Sequence, residues 1–255
     1  MSLDDATRLL RDATRLVVLT GAGVSTESGV PDFRGNGGIW TKFDPSDFQY
    51  DRFLRDPRGF WELRARLMQA LDLANVRPNP AHDALARASR SPRVVGHVTQ
   101  NIDGLFHVAG HEPGKLVEVH GSARSVRCIG CSAFFPYEVA RAAVERGELP
   151  PQCPDCRGAL KPGTILFGET LHAPDLRRAQ EWFERADAVL VVGSSLVVQP
   201  VSGLPALALA RGARLVIVNR DTTPYDDEAD AVVRASAGEA VPAMLRAAGL
   251  AGEGG

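Results

Sequence analysis

Two cysteine pairs, Cys128-x-x-Cys131 and Cys153-x-x-Cys156, are separated by a short stretch of chain. Each pair can present two thiolates to one tetrahedral ion, and the interval between the pairs is that of a four-cysteine zinc ribbon. Four sulfur ligands close the coordination sphere, so the ion expected here is structural rather than a Lewis acid. Gly130, Pro154 and Gly158 supply the tight turns. Redox dithiols or disulfides are the rival reading, disfavoured in a reducing compartment. A nucleic-acid-binding ribbon is a third, but Glu138, Glu145 and Glu148 offset Arg127, Arg141 and Arg146.

A second chemistry-bearing stretch follows the apolar run Leu16-Val17-Val18-Leu19. It reads Thr20-Gly21-Ala22-Gly23-Val24-Ser25-Thr26-Glu27-Ser28-Gly29-Val30-Pro31-Asp32-Phe33-Arg34. A strand breaking into glycines lets backbone approach an anion closely, and amides at the start of a following helix point at it. A plain turn would not need the hydroxyls, carboxylates, aromatic ring and guanidinium crowded into this loop. A dinucleotide fingerprint G-x-G-x-x-G would require glycine at Thr26. It would also require a carboxylate at a strand end about 20 residues on, where Lys42-Phe43-Asp44-Pro45 stands. The stretch therefore reads as a nucleotide site that does not transfer hydride.

Such loops need strand ends to hold them. Apolar runs at 93–98, 116–119, 164–167, 187–192 and 214–218 join the first at 16–19, and each ends in glycine or a small polar residue. The ends are Thr99-Gln100-Asn101-Ile102-Asp103-Gly104, His120-Gly121, Gly168-Glu169, Gly193-Ser194-Ser195 and Asn219. Helical patterns at 56–73, 81–89, 174–185, 202–211 and 238–248 alternate with them, as a parallel, doubly wound sheet requires. A capping box Ser2-x-x-Asp5 opens a further helix. Residues 35–48, rich in Gly, Asp and Pro with Trp40, Phe43 and Phe48, are expected as a mobile loop that orders over a ligand. The segment 250–255 is expected to be a disordered tail.

The chain has 255 residues, 44% hydrophobic and 24% charged, enough for one large α/β domain with a smaller attachment. A formal net charge of −2 offers no field for nucleic acid. No leader pattern and no membrane-length apolar run is visible, so the expectation is a cytoplasmic protein without membrane contact.

Taken together, several motifs resemble the sirtuin (Sir2) family of NAD-dependent protein deacylases, archaeal and bacterial members in particular. They are Gly21-Ala22-Gly23-Val24-Ser25 with Gly29-Val30-Pro31-Asp32-Phe33-Arg34, Thr99-Gln100-Asn101-Ile102-Asp103, Val119-His120-Gly121 and the two C-x-x-C pairs. Phe167-Gly168-Glu169, Gly193-Ser194-Ser195-Leu196 and Val218-Asn219 follow in family order.

The resemblance implies a Rossmann-like domain at 1–35, 77–123 and 160–249. A small domain with a helical insertion at 36–76 and a zinc module at 124–159 would complete the fold. It implies one structural zinc ion and NAD consumed as co-substrate in the cleft between the domains. Ala22, Gly23, Ser194, Ser195 and Asn219 would face the pyrophosphate and adenosine, with Gly21, Glu27, Asp32 and Gly193 nearby. Phe33 and Arg34 would guard the nicotinamide, Gln100, Asn101 and Asp103 would address ribose and carboxamide, and Asn101 and His120 would be catalytic, His120 as general base. Ile165 and Phe167 would line an apolar acyl-lysine tunnel. The helical insertion holds Arg64 and Arg66 but no Tyr-x-x-Arg pair, which disfavours dicarboxylic acyl groups. The implied partner is an acyl-lysine protein, approached by a monomer. His82, His97, His107, His111 and His172 read as structural or solvent-facing. The alternatives are a mono-ADP-ribosyltransferase and a zinc-ribbon module that binds NAD without consuming it.

Overall fold

Strands that are apolar on both faces must be covered on both, which is why β-branched runs alternating with helices build a buried parallel sheet. A computed structural model describes residues 3–33, 38–73 and 75–251. The chain begins with α1 (Leu3–Asp12), whose acidic first turn and basic last turn suit the helix dipole; Ser2, its expected cap, lies outside the described residues. β1 (Leu16–Thr20) leads through the glycine loop to α2 (Tyr50–Arg55), α3 (Pro57–Leu71) and α4 (Pro80–Ala88). β2 (Val94–Thr99), α5 (Leu105–Val108) and β3 (Leu116–Glu118) follow, then β4 (Ser125–Cys128), β5 (Phe134–Pro136), α6 (Glu138–Glu145) and β6 (Leu160–Pro162). The last part holds α7 (Ala173–Arg185), β7 (Ala188–Val192), α8 (Leu204–Leu209), β8 (Arg214–Val218), β9 (Ala231–Val233) and α9 (Ala237–Ala247).

Six strands pair in parallel in the order β3-β2-β1-β7-β8-β9. Counted alone, these strands run 3-2-1-4-5-6, the Rossmann-like order, with its switch point between β1 and β7. α1, α4 and α9 pack one face and α7 and α8 the other. Arg93 ties the helix ends together, donating to the carbonyls of Arg11 at 2.8 Å and Ala248 at 2.8 Å. A second, antiparallel sheet in the order β5-β4-β6 shares a separate core with α2, α3 and α6. Trp61 Nε1 on α3 donates to the Leu160 carbonyl on β6 at 2.9 Å, joining the helical and sheet halves of that core.

The five expected helices correspond to α3, α4, α7, α8 and α9, with ends one or two residues away. Three expectations are corrected. Residues 164–167 sit outside the large sheet, with one bridge from Phe167 to Gln49, because they leave β6 along the cleft wall. The sixth strand is instead β9, too short to register as an apolar run. In the loop at 35–48, residues 39–41 and 45–48 form 3₁₀ turns with Ile39 and Phe48 buried, so this part is packed; Arg34 to Gly37 lie outside the described residues. Leu250 and Ala251 are buried against the core of α1, α4 and α9, so the expected tail does not begin at 250; residues 252–255 lie outside the described residues. Among the described residues, no helix is long and apolar enough to cross a membrane.

Candidate active site and metal centre

At the switch point the loops leaving β1 and β7 cross almost backbone to backbone. The Gly23 amide donates to the Gly193 carbonyl at 2.8 Å, and a Cβ on Gly23 would stand 2.8 Å from Gly193 Cα. Gly193 holds φ +61°, and a Cβ there would meet the Val24 nitrogen at 2.3 Å. Only glycines allow this crossing, and it leaves a cradle of bare backbone at the strand ends. Beside it Gln100 Nε2 donates to Ser194 Oγ at 2.8 Å, linking the ends of β2 and β7. These groups line one side of a cleft of about 520 Å³. Gly21, Ala22, Ser195 and Asn219 lie along the same wall.

Behind the glycine loop is a buried polar knot. The Asn79 amide donates to His82 Nδ1 at 3.3 Å, which leaves the ring proton on Nε2, 3.3 Å from Ser25 Oγ. Asn101 Nδ2 also donates to that oxygen at 3.0 Å, and the Ser25 hydroxyl donates to Asp103 Oδ2 at 2.7 Å. Ser25 is thus saturated, accepting twice and donating once, as a fully buried hydroxyl must be to avoid a desolvation penalty. Asn79 caps α4 through Ala81 and also donates to the Val24 carbonyl at 2.8 Å, so the helix start and the glycine loop are one rigid unit. Burial holds His82 below its usual pKa despite the carboxylates of Asp103 and Asp83.

His120, just past the end of β3, also lines the cleft. Its Nδ1 donates to the Gln100 carbonyl at 3.2 Å, which fixes the tautomer with the basic lone pair on Nε2. The His120 carbonyl accepts from the Ile165 amide at 2.8 Å, tying the histidine to the segment 164–168. That segment, with Phe33, Trp40, Phe48 and Leu67, makes the wall here apolar and aromatic. Trp40 packs in tilted contact with Phe33, Phe48 and Phe167, with centroid distances of 5.2, 5.6 and 5.8 Å. Arg64 is turned away, sandwiched over Trp61 and Tyr137 at 5.1 and 4.9 Å.

The ligand sulfurs of Cys128, Cys131, Cys153 and Cys156 all lie within 4.8 Å of one another. Cys128 to Cys156 is 3.4 Å and Cys131 to Cys153 is 3.8 Å, close to the edge of about 3.8 Å that zinc–sulfur bonds of about 2.3 Å generate. All four are free thiols. Burial opposes ionisation of Cys128, yet the amides of Cys131 and Gly130 and the Cys156 and Cys131 thiols bring it down to about 6. Cys131 goes the other way, to about 12: the Ala133 amide favours its thiolate, but the Cys128, Cys156 and Cys153 sulfurs hold it protonated. Four converging sulfurs need a cation between them, and the donor set fits one structural zinc ion.

The sequence model of the Sir2 family matches residues 21–200. The chain belongs to the Sir2 family. An NAD-dependent protein deacetylase of Caldivirga maquilingensis is 42% identical over 237 residues, covering 93% of this chain and 90% of that one. A solved Sir2–p53 peptide–NAD+ complex is 33% identical with a TM-score of 0.85, covering 98% and 100% of the two chains. A Sir2 variant with deacetylated p53 peptide and 3′-O-acetyl ADP ribose is also 33% identical, with a TM-score of 0.87 and coverage of 99% and 100%.

In this Sir2 family member, one cleft gathers Gly21, Ala22, Gly23, Asp32, Phe33, Gln100, Asn101, His120, Gly193, Ser194, Ser195, Asn219, Ile165 and Phe167. Asp103 stands just behind, on the Ser25 knot and beside a small pocket under Ala22 and Phe33. Arg34 lies outside the described residues. Glu27, expected near the cofactor, has its carboxylate accepting from the Gly238 amide at 2.6 Å in the first turn of α9, where the helix dipole favours an anion. Ser25 belongs to the loop singled out from sequence, but sequence reasoning gives its partners Asn79 and His82 no place in the site. The Asn79-x-x-His82 spacing at a helix start is their one local signal, because it forms the capping box of α4. His97 and His111 are, as expected, structural: buried, 3.0 Å apart, and packed on Phe106.

Proposed function

We propose that the cleft transfers the acyl group of a protein acyl-lysine to the ADP-ribose part of NAD and releases nicotinamide. The chain is an NAD-dependent protein deacetylase of the sirtuin type, with NAD as co-substrate and one structural zinc ion. The observation that carries the residue roles is the meeting, in one cleft, of a bare glycine cradle, a tautomer-fixed histidine and an apolar wall.

Gly21, Ala22, Gly23 and Gly193 accommodate the pyrophosphate, Ser194 and Ser195 reach its oxygens, and Asn219 takes the adenosine ribose. Phe33 and Arg34 cover the nicotinamide end, with Asp32 beside them, and Gln100, Asn101 and Asp103 address the nicotinamide ribose and carboxamide. The nicotinamide nitrogen is cationic, so it leaves readily, and a weak nucleophile, the acyl oxygen of the lysine amide, can take C1′ if held in line. Ile165 and Phe167 hold it there. His120 Nε2 then removes a proton from a ribose hydroxyl, which attacks the former acyl carbon; water completes release of free lysine and O-acyl-ADP-ribose. A mono-ADP-ribosyltransferase would offer C1′ to a protein side chain instead, and the apolar wall favours an acyl-lysine over that acceptor.

The protein substrate is a peptide segment carrying the acyl-lysine, bound by one chain acting as a monomer, between the Rossmann-like domain at 1–35, 77–123 and 160–249 and the small domain at 36–76 and 124–159. A cytoplasmic location is consistent with four thiols kept for metal rather than disulfides. The reading is tested by incubating the protein with NAD and an acetyl-lysine peptide and following products by mass spectrometry. Nicotinamide, deacetylated peptide and O-acetyl-ADP-ribose should form in equal amounts; nicotinamide release with ADP-ribosylated protein would favour the transferase.

A further inference from the structure

In an antiparallel pair, like charges directly opposite each other destabilise the ladder. Arg127 on β4 and Lys161 on β6 are such a pair, facing across the zinc module. Lys161 is nearly fully buried, at 2% exposure, on a strand where a lysine is expected to face water. Glu169, its side chain only 6% exposed, faces both: its Oε2 is 3.0 Å from Lys161 Nζ and its Oε1 is 3.9 Å from Arg127 Nη1.

The ammonium has three protons, and all are used by one loop. Nζ donates to the Pro162 carbonyl at 2.7 Å, to the Thr164 carbonyl at 2.6 Å and to Glu169. Glu169 Oε2 in turn accepts from the Leu166 amide at 3.0 Å. The chain from 162 to 169 is therefore wrapped around a single cation, and residues 164–169 line the cleft, with Ile165, Leu166 and Phe167 giving that wall its apolar character. On the far side the wall is pinned by the amide of Phe167 on the Phe48 carbonyl and of Ile165 on the His120 carbonyl.

A buried ion pair is a weak source of stability, because hydrophobic residues of like volume would serve at least as well; fixing one conformation is its better-attested use. Resting on the acyl-lysine reading of this wall, we infer that Lys161 and Glu169 are positioning residues that set the course of segment 164–168 and thereby the affinity for the acylated peptide. They act through the segment and leave the glycine cradle alone. They also make the zinc module, through β4 and β6, a support of the peptide side of the cleft.

The test is steady-state kinetics on zinc-loaded Glu169→Gln, varying acetyl-lysine peptide and NAD separately, with zinc content and thermal midpoint measured alongside. Glutamine keeps the acceptor for Leu166 and removes only the charge. The peptide KM should rise by about fivefold or more while the NAD KM stays within about twofold. Lys161→Met should go further in the same direction; if it fails to fold, Glu169→Gln still decides. A peptide KM unchanged in the folded variant overturns the inference. So does a parallel rise of both KM values with a fallen midpoint, the mark of a merely structural pair. A wild-type enzyme inert on the peptide would instead bring down the reading of the wall itself.

Discussion

The Gly23 amide and the Gly193 carbonyl meet at 2.8 Å where the loops leaving β1 and β7 cross, and neither position has space for a methyl group. The crossing predicts that Gly193→Ala loses NAD before it loses the fold. The new Cβ collides with the Val24 nitrogen and the φ of +61° becomes strained, costing about 1–3 kcal/mol. The cradle opens to relieve the collision, so NAD affinity should fall by about tenfold or more, read by calorimetry. Wild-type affinity in the variant would contradict the cradle.

The zinc assignment predicts that Cys128→Ala, or chelation of the wild-type protein, releases the ion and unfolds the sheet of β4, β5 and β6. Metal analysis and circular dichroism read the two together, and deacetylation should go with them because segment 164–168 hangs from β6. A variant that keeps both metal and thermal midpoint would refute the assignment.

Motifs that sit in consecutive residues were legible from sequence, and contacts made across the fold were not. The four cysteines and the glycine loop carry their chemistry in local spacing. The knot of Ser25, His82, Asn101 and Asp103 joins residues as much as 78 apart, and no periodicity announces it. Glu27 sits in the loop whose motif implies cofactor contact, yet its carboxylate goes to α9, 211 residues away. The run at 164–167 has a strand's composition, but composition does not say whether a ladder partner exists. β9, with three residues, offers no pattern of its own, and it is a strand because β8 pairs it through Val216, Ile217 and Val218.

The buried histidines predict loss of stability in mild acid. Burial, opposed by the hydrogen bond to the Glu112 carbonyl and aided by the charges of His107 and Lys115, lowers His111 from 6.5 to about 4, and burial lowers His97 well below its usual value. Above pH 6.5 neither folded nor unfolded chain is protonated there, so the stability is intact. Between 6.5 and about 4 the unfolded chain takes up a proton that the folded one refuses, so stability falls as pH falls. His111 alone accounts for ~3 kcal/mol of that loss. Thermal midpoints measured between pH 7 and 5 should fall, and fall less steeply in His111→Gln; a flat profile would contradict the buried pair.

The apolar wall predicts acyl preference. With Leu67, Ile165 and Phe167 lining the cleft and Arg64 stacked on Trp61 and Tyr137, no cation among the described residues of that wall greets an acyl carboxylate; Arg220, which also lines the cleft, follows Asn219. Acetyl and longer aliphatic lysine peptides should be turned over, and succinyl peptides about a hundredfold less efficiently, the consequence of burying an unpaired charge. Equal kcat/KM for acetyl and succinyl peptides would show that another cation reaches the site.

The central claim is that His120 acts after nicotinamide has left. It is tested by comparing two rates in His120→Ala: exchange of labelled nicotinamide into NAD in the presence of acetyl-lysine peptide, and formation of deacetylated peptide. The account predicts that exchange survives while deacetylation falls by about 10²-fold or more. Deacetylation near the wild-type rate, or loss of both rates together in a folded variant that still binds NAD, would contradict it.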